Sequence, residues 1–402
     1  MKPIILFFTL NSNKGVLSLR QTKATMNKIM AMLFLIFISV MIISNFMTPV
    51  KEFSPSENRR LEQKPKISLS LISNGKFTKS FEKYISDQFP LRDFWIGIKS
   101  SVEKSIGKVE SNGVFLGKDG YLLQAFKTPN DKTINNIVKS INTFAECNKN
   151  INTYFMLVPT SIKIYENNLP NFASTENQLK YINIMREKLD KSISFIPTYE
   201  TLNSKKNEYI YYKTDHHWTT NGAYYGYEVL GKHMGFTPLK KDDFNIKDLS
   251  DEFLGSLYSR GGFRNLGYDK IQSYIPKNIE DINYEVWYSD TNKTLSSFYN
   301  KEKLNGKDKY AVFLDSNHPL AKIKTKIQDN VKNKKLLVVK DSYANCLVPF
   351  LTSHYGEIYM VDLRYYDKDL NELIKSEGID DTLILYNANT FFEDASITNI
   401  ID

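Results

Sequence analysis

Thr214-Asp215-His216-His217-Trp218-Thr219-Thr220-Asn221-Gly222 places an acid, two imidazoles and an indole in a row, and the reading of the fold turns on where this stretch sits. Before it, Tyr209 to Lys213 (Tyr-Ile-Tyr-Tyr-Lys) has β propensity. After it, Thr219-Thr220-Asn221 offers N-cap residues for a helix over about 223–234. The spacing therefore predicts a strand-to-helix junction. In an extended segment Asp215 and His217 share a face while His216 points away. A carboxylate beside an imidazole holds its tautomer and stabilises imidazolium, which is the orienting half of a nucleophile, base and acid arrangement. Such a pair calls for a nucleophile elsewhere in the chain.

Ser342 is the best-placed candidate. Leu336-Leu337-Val338-Val339 is a short apolar run of the buried-strand type, and Lys340-Asp341-Ser342 leads into Tyr343 to Leu351, which reads as a helix start. A serine at such a turn is exposed, and the helix N-terminus presents backbone N–H groups to a developing oxyanion. Ser256 and Ser161 are rivals, but neither opens a helix from a buried strand as clearly. Asp341 is expected to form the turn by bonding the local backbone.

Asp215-His216-His217-Trp218 resembles the signature of the DHHW family. Together with the downstream Asp341-Ser342-Tyr343, it is similar to the alginate O-acetyltransferase proteins of the SGNH hydrolase superfamily. In that permuted order Asp and His precede Ser, as here. The resemblance extends over Ser56-Glu57-Asn58-Arg59-Arg60-Leu61, Asn112-Gly113-Val114-Phe115-Leu116-Gly117 and Val158-Pro159-Thr160-Ser161-Ile162-Lys163. It implies an α/β fold, a parallel sheet flanked by helices, and Ser342, His217 and Asp215 as catalytic residues. One departure stands out: Lys340 occupies the place of the glycine in the superfamily's Gly-Asp-Ser, which removes backbone freedom before the nucleophile.

The chain has 402 residues, 42% hydrophobic and 13% aromatic, a folded rather than disordered composition. Half of the formal net charge of +8 comes from Lys2, Lys14, Arg20 and Lys23. No basic stripe with interleaved aromatics stands out, so nucleic acid is not an expected partner. Ile29 to Met47 is apolar, broken only by Ser39, Ser44 and Asn45, and long enough to cross a bilayer. Basic residues alone precede it, which places the N-terminus in the cytoplasm and the remainder outside. A cleaved signal peptide is the competing reading, but no small-x-small site follows. The expected organisation is a cytoplasmic N-terminus over 1–28 (Met26 being an alternative start, with 1–25 then untranslated) and a transmembrane anchor over 29–48. A linker with amphipathic helices over 49–110 and a catalytic domain over 111–402 follow.

Phe77, Phe81, Tyr84 and Ile85, then Phe94, Trp95, Ile98 and Val102, recur at helical spacing on either side of Phe89-Pro90. Val114-Phe115-Leu116 and Tyr121-Leu122-Leu123 suggest a hairpin. Alternation then predicts helices at 134–144 and 181–189, strands at 154–158, 194–196, 310–314, 336–339, 358–361 and 383–386, and a long irregular stretch over 235–309. Such alternation implies a parallel sheet with functional residues at the carboxyl ends of its strands.

Cys147 and Cys346 are expected to be free thiols, and no zinc pattern is present. Asp215, His216 and His217 invite a metal reading. Adjacent histidines facing opposite ways cannot readily share one ion, so neither metal nor cofactor is expected. The superfamily commonly pairs the nucleophile's N–H with an Asn side chain as oxyanion donors, and Asn345, Asn317 and Asn389 are open alternatives, with Tyr343 beside them. Arg364 reads either as an acceptor-binding residue or as a surface ion pair, and His318 and His354 as structural.

The resemblance implies a serine O-acyltransferase, acetyl by inheritance, acting on an exported or cell-surface polysaccharide. Its partner would be a multi-pass membrane O-acyltransferase that supplies the acyl group. The same three residues serve an esterase, and Lys340 with the many tyrosines leaves open a non-catalytic carbohydrate-binding or assembly role.

Overall fold

Leu336-Leu337-Val338-Val339 forms the middle of strand β13 (Lys335–Lys340), and all four side chains are fully buried. A run apolar on both faces needs cover on both, and burying each such side chain is worth about 1.5–3 kcal/mol. The computed structural model describes residues 3–54, 59–68, 76–277, 284–325 and 334–401, so Ser56-Glu57-Asn58 lies outside the described residues. The chain divides into two units, the second beginning at Gly97.

In the first unit, helix α1 (Pro3–Met47) contains Thr25–Asn45, which is long and apolar enough to cross a membrane and, being near the N-terminus, also fits a signal sequence. Strands β1 (Phe53–Ser54) and β2 (Arg59–Arg60) pair antiparallel. Helix α2 (Lys76–Asp87) and helix α3 (Arg92–Ser105), which runs on into the second unit, flank Phe89-Pro90.

In the second unit a small antiparallel sheet comes first: β3 (Glu110–Ser111), β4 (Val114–Leu116) and β5 (Leu122–Gln124). Helix α4 (Asp131–Cys147), β6 (Asn152–Val158), helix α5 (Gln178–Lys188), β7 (Ile193–Phe195) and helix α6 (Thr220–Met234) follow. Thr219 caps α6, its hydroxyl accepting from Gly222 N–H at 3.2 Å. Next come β8 (Phe244–Phe253), β9 (Asp269–Pro276), β10 (Tyr284–Tyr288), β11 (Thr294–Leu295) and β12 (Leu320–Thr325). After β13 the chain runs through helix α7 (Ala344–Leu351), β14 (Glu357–Val361), helix α8 (Leu370–Glu377) and β15 (Asp381–Asn387).

The central sheet has the order β11-β10-β12-β14-β13-β15-β6-β7. β14, β13, β15, β6 and β7 are mutually parallel, as expected. β12, β10 and β11 join antiparallel, so the sheet is mixed rather than parallel throughout. The difference follows from burial. In β12 buried Ala321 and Ile323 alternate with half-buried or exposed Leu320, Lys322 and Lys324, a period-two pattern suited to one covered face. Helices cover both faces of the parallel part: Met156 of β6 approaches Gly226 of α6, and Phe155, on the other face, packs its ring on Phe391.

Two further expectations fail for physical reasons. The stretch 235–309 is not irregular, since β8 and β9 form a bulged antiparallel ribbon whose register shifts near Ser250 break the alternation. Tyr310 to Leu314 is not a strand: Lys309–Val312 is a 3-10 turn, and Leu314, Asp315 and Ser316 all take positive φ.

A methyl group on Gly222 would overlap the carbonyl oxygen of Ile210 and crowd Trp218 Cβ. Gly222→Ala is expected to destabilise the second unit by about 1–3 kcal/mol. Thermal unfolding followed by circular dichroism checks this; an unchanged midpoint contradicts the packing described.

Candidate active site

Residues 210–219 do not form a strand before Asp215. Tyr211 and Trp218 make a single antiparallel bridge, Tyr212 N–H donates to His217 O and Thr219 N–H to Ile210 O, so the chain doubles back in a tight loop. A buried carboxylate holds this loop. Asp269 accepts from Lys213 N–H (2.8 Å), from Thr214 N–H (2.7 Å), from the Thr214 hydroxyl (2.5 Å) and from the Tyr209 hydroxyl (2.5 Å). The loop geometry corrects the expectation that His216 points away from His217, for their rings lie 3.8 Å apart between centroids.

Within the loop, Asp215 Oδ1 accepts from His217 N–H at 2.9 Å and from His217 Nδ1 at 2.5 Å. Its Oδ2 accepts from Ser256 N–H at 2.7 Å. Burial opposes ionisation of Asp215, but His216, His217 and these hydrogen bonds outweigh it and hold the carboxyl well below its usual range. An ionised Asp215 fixes the proton on His217 Nδ1 and leaves Nε2 free to accept. His217 Nε2 lies 2.7 Å from Ser342 Oγ. The structure therefore brings Ser342, His217 and Asp215 together in a continuous relay of hydrogen bonds.

Ser342 stands at the carboxyl end of β13, as predicted, and is half-buried. Asp341 shapes the turn, taking Tyr343 N–H at 2.9 Å and both the backbone and side-chain N–H of Asn387. Burial pushes its carboxyl up to about 6. Further bonds lock the elbow to the loop: the Tyr343 hydroxyl donates to His216 O at 2.5 Å and Trp218 Nε1 to Tyr343 O at 3.0 Å. Tyr310 stacks on the His217 ring, centroids 3.6 Å apart and planes 9° apart, while its hydroxyl donates to Ser342 O at 3.1 Å. Nothing in the sequence marked Tyr310 or Asp269 as part of the site, because the loop residues they hold, His217 and Thr214, are 93 and 55 residues away.

A cavity of about 210 Å³ opens over Ser342, lined also by His216, Ser256, Lys307, Asn317 and Arg364. A larger groove of about 630 Å³ lies at the amino ends of β6 and β7 and holds none of the candidate residues. The three asparagines separate. Asn389 Oδ1 accepts from Thr160 and Gln178, and its Nδ2 donates to Ala125 O, so it does not serve the cavity. Asn345 is buried, with Nδ2 donating to Ser316 O and Asn317 Oδ1. Asn317 is half-exposed and its Nδ2 has no acceptor among the described residues, which leaves it as a donor into the cavity. Tyr343 N–H is taken by Asp341, whereas Ser342 N–H has no acceptor among the described residues. Ser342 N–H and Asn317 Nδ2 are thus two N–H donors near Ser342 with no acceptor among the described residues.

Arg364 is ion-paired and reaches the cavity wall as well. It makes a two-pronged ion pair with buried Asp362, at 2.8 and 2.6 Å, and still lines the cavity. His318 bonds Asp290 at 2.8 Å and His354 bonds the Tyr227 hydroxyl at 2.7 Å, away from the site. Ser161 is buried at the start of a short helix, Ser161–Ile164, and Ser256 bonds His216 Nδ1 at 2.6 Å. Cys147 and Cys346 are free, and burial raises the Cys346 thiol to about 12. Ligand atoms of Asp215, His216 and His217 lie within 4.8 Å of one another. An ion there would have to displace the hydrogen bonds of Asp215 to His217 and Ser256, so these donors fit an ordered relay better than a metal.

Gly255 has no room for a side chain, since a methyl group would run into Asp215 Cβ and Oδ2. Gly255→Ala should shift the carboxylate and lower the reactivity of Ser342 toward an activated acyl ester about a hundred-fold. Comparison of acylation rates, with circular dichroism to verify folding, checks this; equal rates would mean that Asp215 does not orient His217.

The DHHW protein family model matches residues 99–361. Among solved structures, a DHHW family protein from Eubacterium siraeum DSM 15702 superposes with a TM-score of 0.63 at 25% identity, over 73% of this chain and 97% of its own. PatB1 of Bacillus cereus, solved with a sulfonyl adduct, gives 0.61 at 22% identity, over 72% and 98%. The O-acetyltransferase domain of Pseudomonas putida AlgJ aligns at 0.43 with 14% identity, over 71% and 99%. No curated protein matches the chain. The architecture is a mixed α/β fold with helices on either side of one large sheet. With more than half of its residues matched, the chain belongs to the DHHW family.

Proposed function

We propose that the protein is a membrane-anchored, extracytoplasmic serine O-acyltransferase that moves an acyl group, acetyl in the simplest case, onto a hydroxyl of an exported or cell-surface polysaccharide. The observation that carries this reading is the line from Asp215 Oδ1 to His217 Nδ1 (2.5 Å) and from His217 Nε2 to Ser342 Oγ (2.7 Å), ending at an open cavity. The first half-reaction begins with Ser342 Oγ attacking the acyl carbonyl while His217 Nε2 takes its proton. Ser342 N–H and Asn317 Nδ2 stabilise the negative oxygen; each such donor is typically worth about 10²–10³ in rate. Collapse breaks the bond to the leaving group, which receives the proton from His217. An acceptor hydroxyl then gives its proton to His217, attacks the acyl-serine and releases Ser342.

Lys340 does not argue against activity, because its backbone remains in the strand and φ is not positive there. Cationic Arg364 and Lys307 line the cavity and suit a polar, oxygen-rich acceptor. The apolar segment Thr25–Asn45 supports an anchor that keeps the domain at the outer membrane face. A multi-pass membrane O-acyltransferase is the proposed source of acyl groups, because an extracytoplasmic domain needs its donor carried across the bilayer.

The test uses the full chain in detergent with a chromogenic acetyl ester, following hydrolysis and the intact mass of the protein. Ser342→Ala should abolish the acetyl adduct and lower turnover at least about a thousand-fold. Asp215→Asn should lower turnover by up to about ten-thousand-fold without unfolding the protein. Sugar hydroxyls that speed deacylation and appear acetylated support transfer; release to water unaffected by sugars identifies an esterase. Folded wild type with neither adduct nor turnover defeats the catalytic reading in favour of a binding role.

A further inference from the structure

Lys340 sits where the superfamily pattern has glycine, and it ends β13 two residues before the proposed nucleophile with its side chain 2% exposed. Burying an ammonium costs several kcal/mol unless its donors are matched. They are matched here. Nζ carries three N–H groups and no acceptor, and it meets Asn317 Oδ1 at 2.7 Å, Asn345 Oδ1 at 2.9 Å and Asp362 Oδ2 at 3.7 Å. Asp362 is itself held by Arg364, so it does not depend on Lys340 for a partner. The Asn345 oxygen does, and the Asn317 oxygen takes Lys340 as one of two donors.

An asparagine amide has nearly the same shape either way round, so a flip exchanges a donor for an acceptor. We propose that Lys340 is the positioning residue of the oxyanion site: by binding the side-chain oxygens of Asn317 and Asn345 it forces Asn317 to present N–H, rather than its oxygen, to the cavity over Ser342. The inference rests on the acyl-serine reading above.

Three further observations support it. Asn345 Nδ2 also donates to Asn317 Oδ1, so with Lys340 Nζ the oxygen of Asn317 is held by two donors at once. The segment that carries Asn317 is bent by three consecutive non-glycine residues at positive φ, Leu314 (55°), Asp315 (58°) and Ser316 (92°). Such strain persists only where the surroundings over-determine it. The charge is also present under working conditions, for burial lowers the ammonium to about 8 and Asp362 opposes that fall, so Lys340 is mainly protonated at neutral pH.

A purely structural lysine would lower stability and leave the chemistry of folded protein alone. A clamp acts through Asn317, so the two losses must overlap. With the full chain in detergent and the same acetyl ester, Asn317→Ala is expected to lower kcat about 10²–10³-fold. Lys340→Met should lower kcat at least about ten-fold with KM within about two-fold. The double variant should be no worse than Asn317→Ala within about three-fold; a double loss equal to the product of the single losses overturns the proposal.

Should Lys340→Met not fold, the wild type supplies the test. Asp341, Asp362 and Arg364 are the charged groups facing Lys340, and of these Asp341 titrates well below the alkaline range. Removing the ammonium proton as pH rises through about 8 should reduce kcat in wild type, and this alkaline fall should be absent in Asn317→Ala. The same fall in both proteins overturns the clamp. Should wild type form no serine adduct, the catalytic reading fails separately. The clamp is then read from crystal structures at pH 6 and pH 10, where an Asn317 amide with unchanged partners at both values overturns it.

Discussion

The hydrogen bond between His217 Nε2 and Ser342 Oγ joins two segments 125 residues apart, and most of the second unit's organisation serves to make that 2.7 Å meeting possible. A single buried hydrogen bond contributes only about 0.5–1.5 kcal/mol net, too little to hold two segments in register. The register comes from the bonds around it. Tyr343 reaches back to the His216 carbonyl, Trp218 reaches forward to the Tyr343 carbonyl, and Tyr310 lays its ring along His217 while bonding the Ser342 carbonyl. Aromatic residues suit this work because each couples a large buried surface to one directional polar group.

The same region is costly to build. Asp215, Asp269, Asp341, Asp362 and Lys340 are all at most 3% exposed, and each would be more cheaply replaced by a packed apolar residue if stability alone mattered. Every one has its polar atoms met. Asp269 takes four donors from the loop before Asp215, Asp341 takes three from the elbow and β15, and Asp362 stands between Lys340 and Arg364. Because they share donors and acceptors, these groups act as a set that holds the cavity lining in one arrangement. The acyl-transfer reading makes that rigidity useful, because donors that must meet a developing charge gain most from being fixed beforehand.

Much of this was legible in order of residues. β13 and its serine elbow announced themselves through four consecutive apolar residues followed by a turn, a pattern that is local. Thr219 capping α6 was likewise readable, since capping spans three residues. The hidden parts all depend on distance. Leu320 to Thr325 and Tyr284 to Tyr288 alternate too weakly to identify alone and become strands only by pairing with each other and with β14. The loop at Asp215 reads as extended from its propensities, yet tertiary bonds to Asp269 bend it and turn His216 back beside His217.

The sequence by itself determined which side chains meet around the cavity's serine, histidine and aspartate and which strand delivers the serine, because residue type, apolar runs and caps are properties of neighbouring residues. Only the tertiary structure decided which asparagines line the cavity and where the Lys340 ammonium is bound. Those answers depend on where hydrogen-bond donors from Asn345, Lys340 and the strained turn before Asn317 converge in space, and no local preference encodes that convergence.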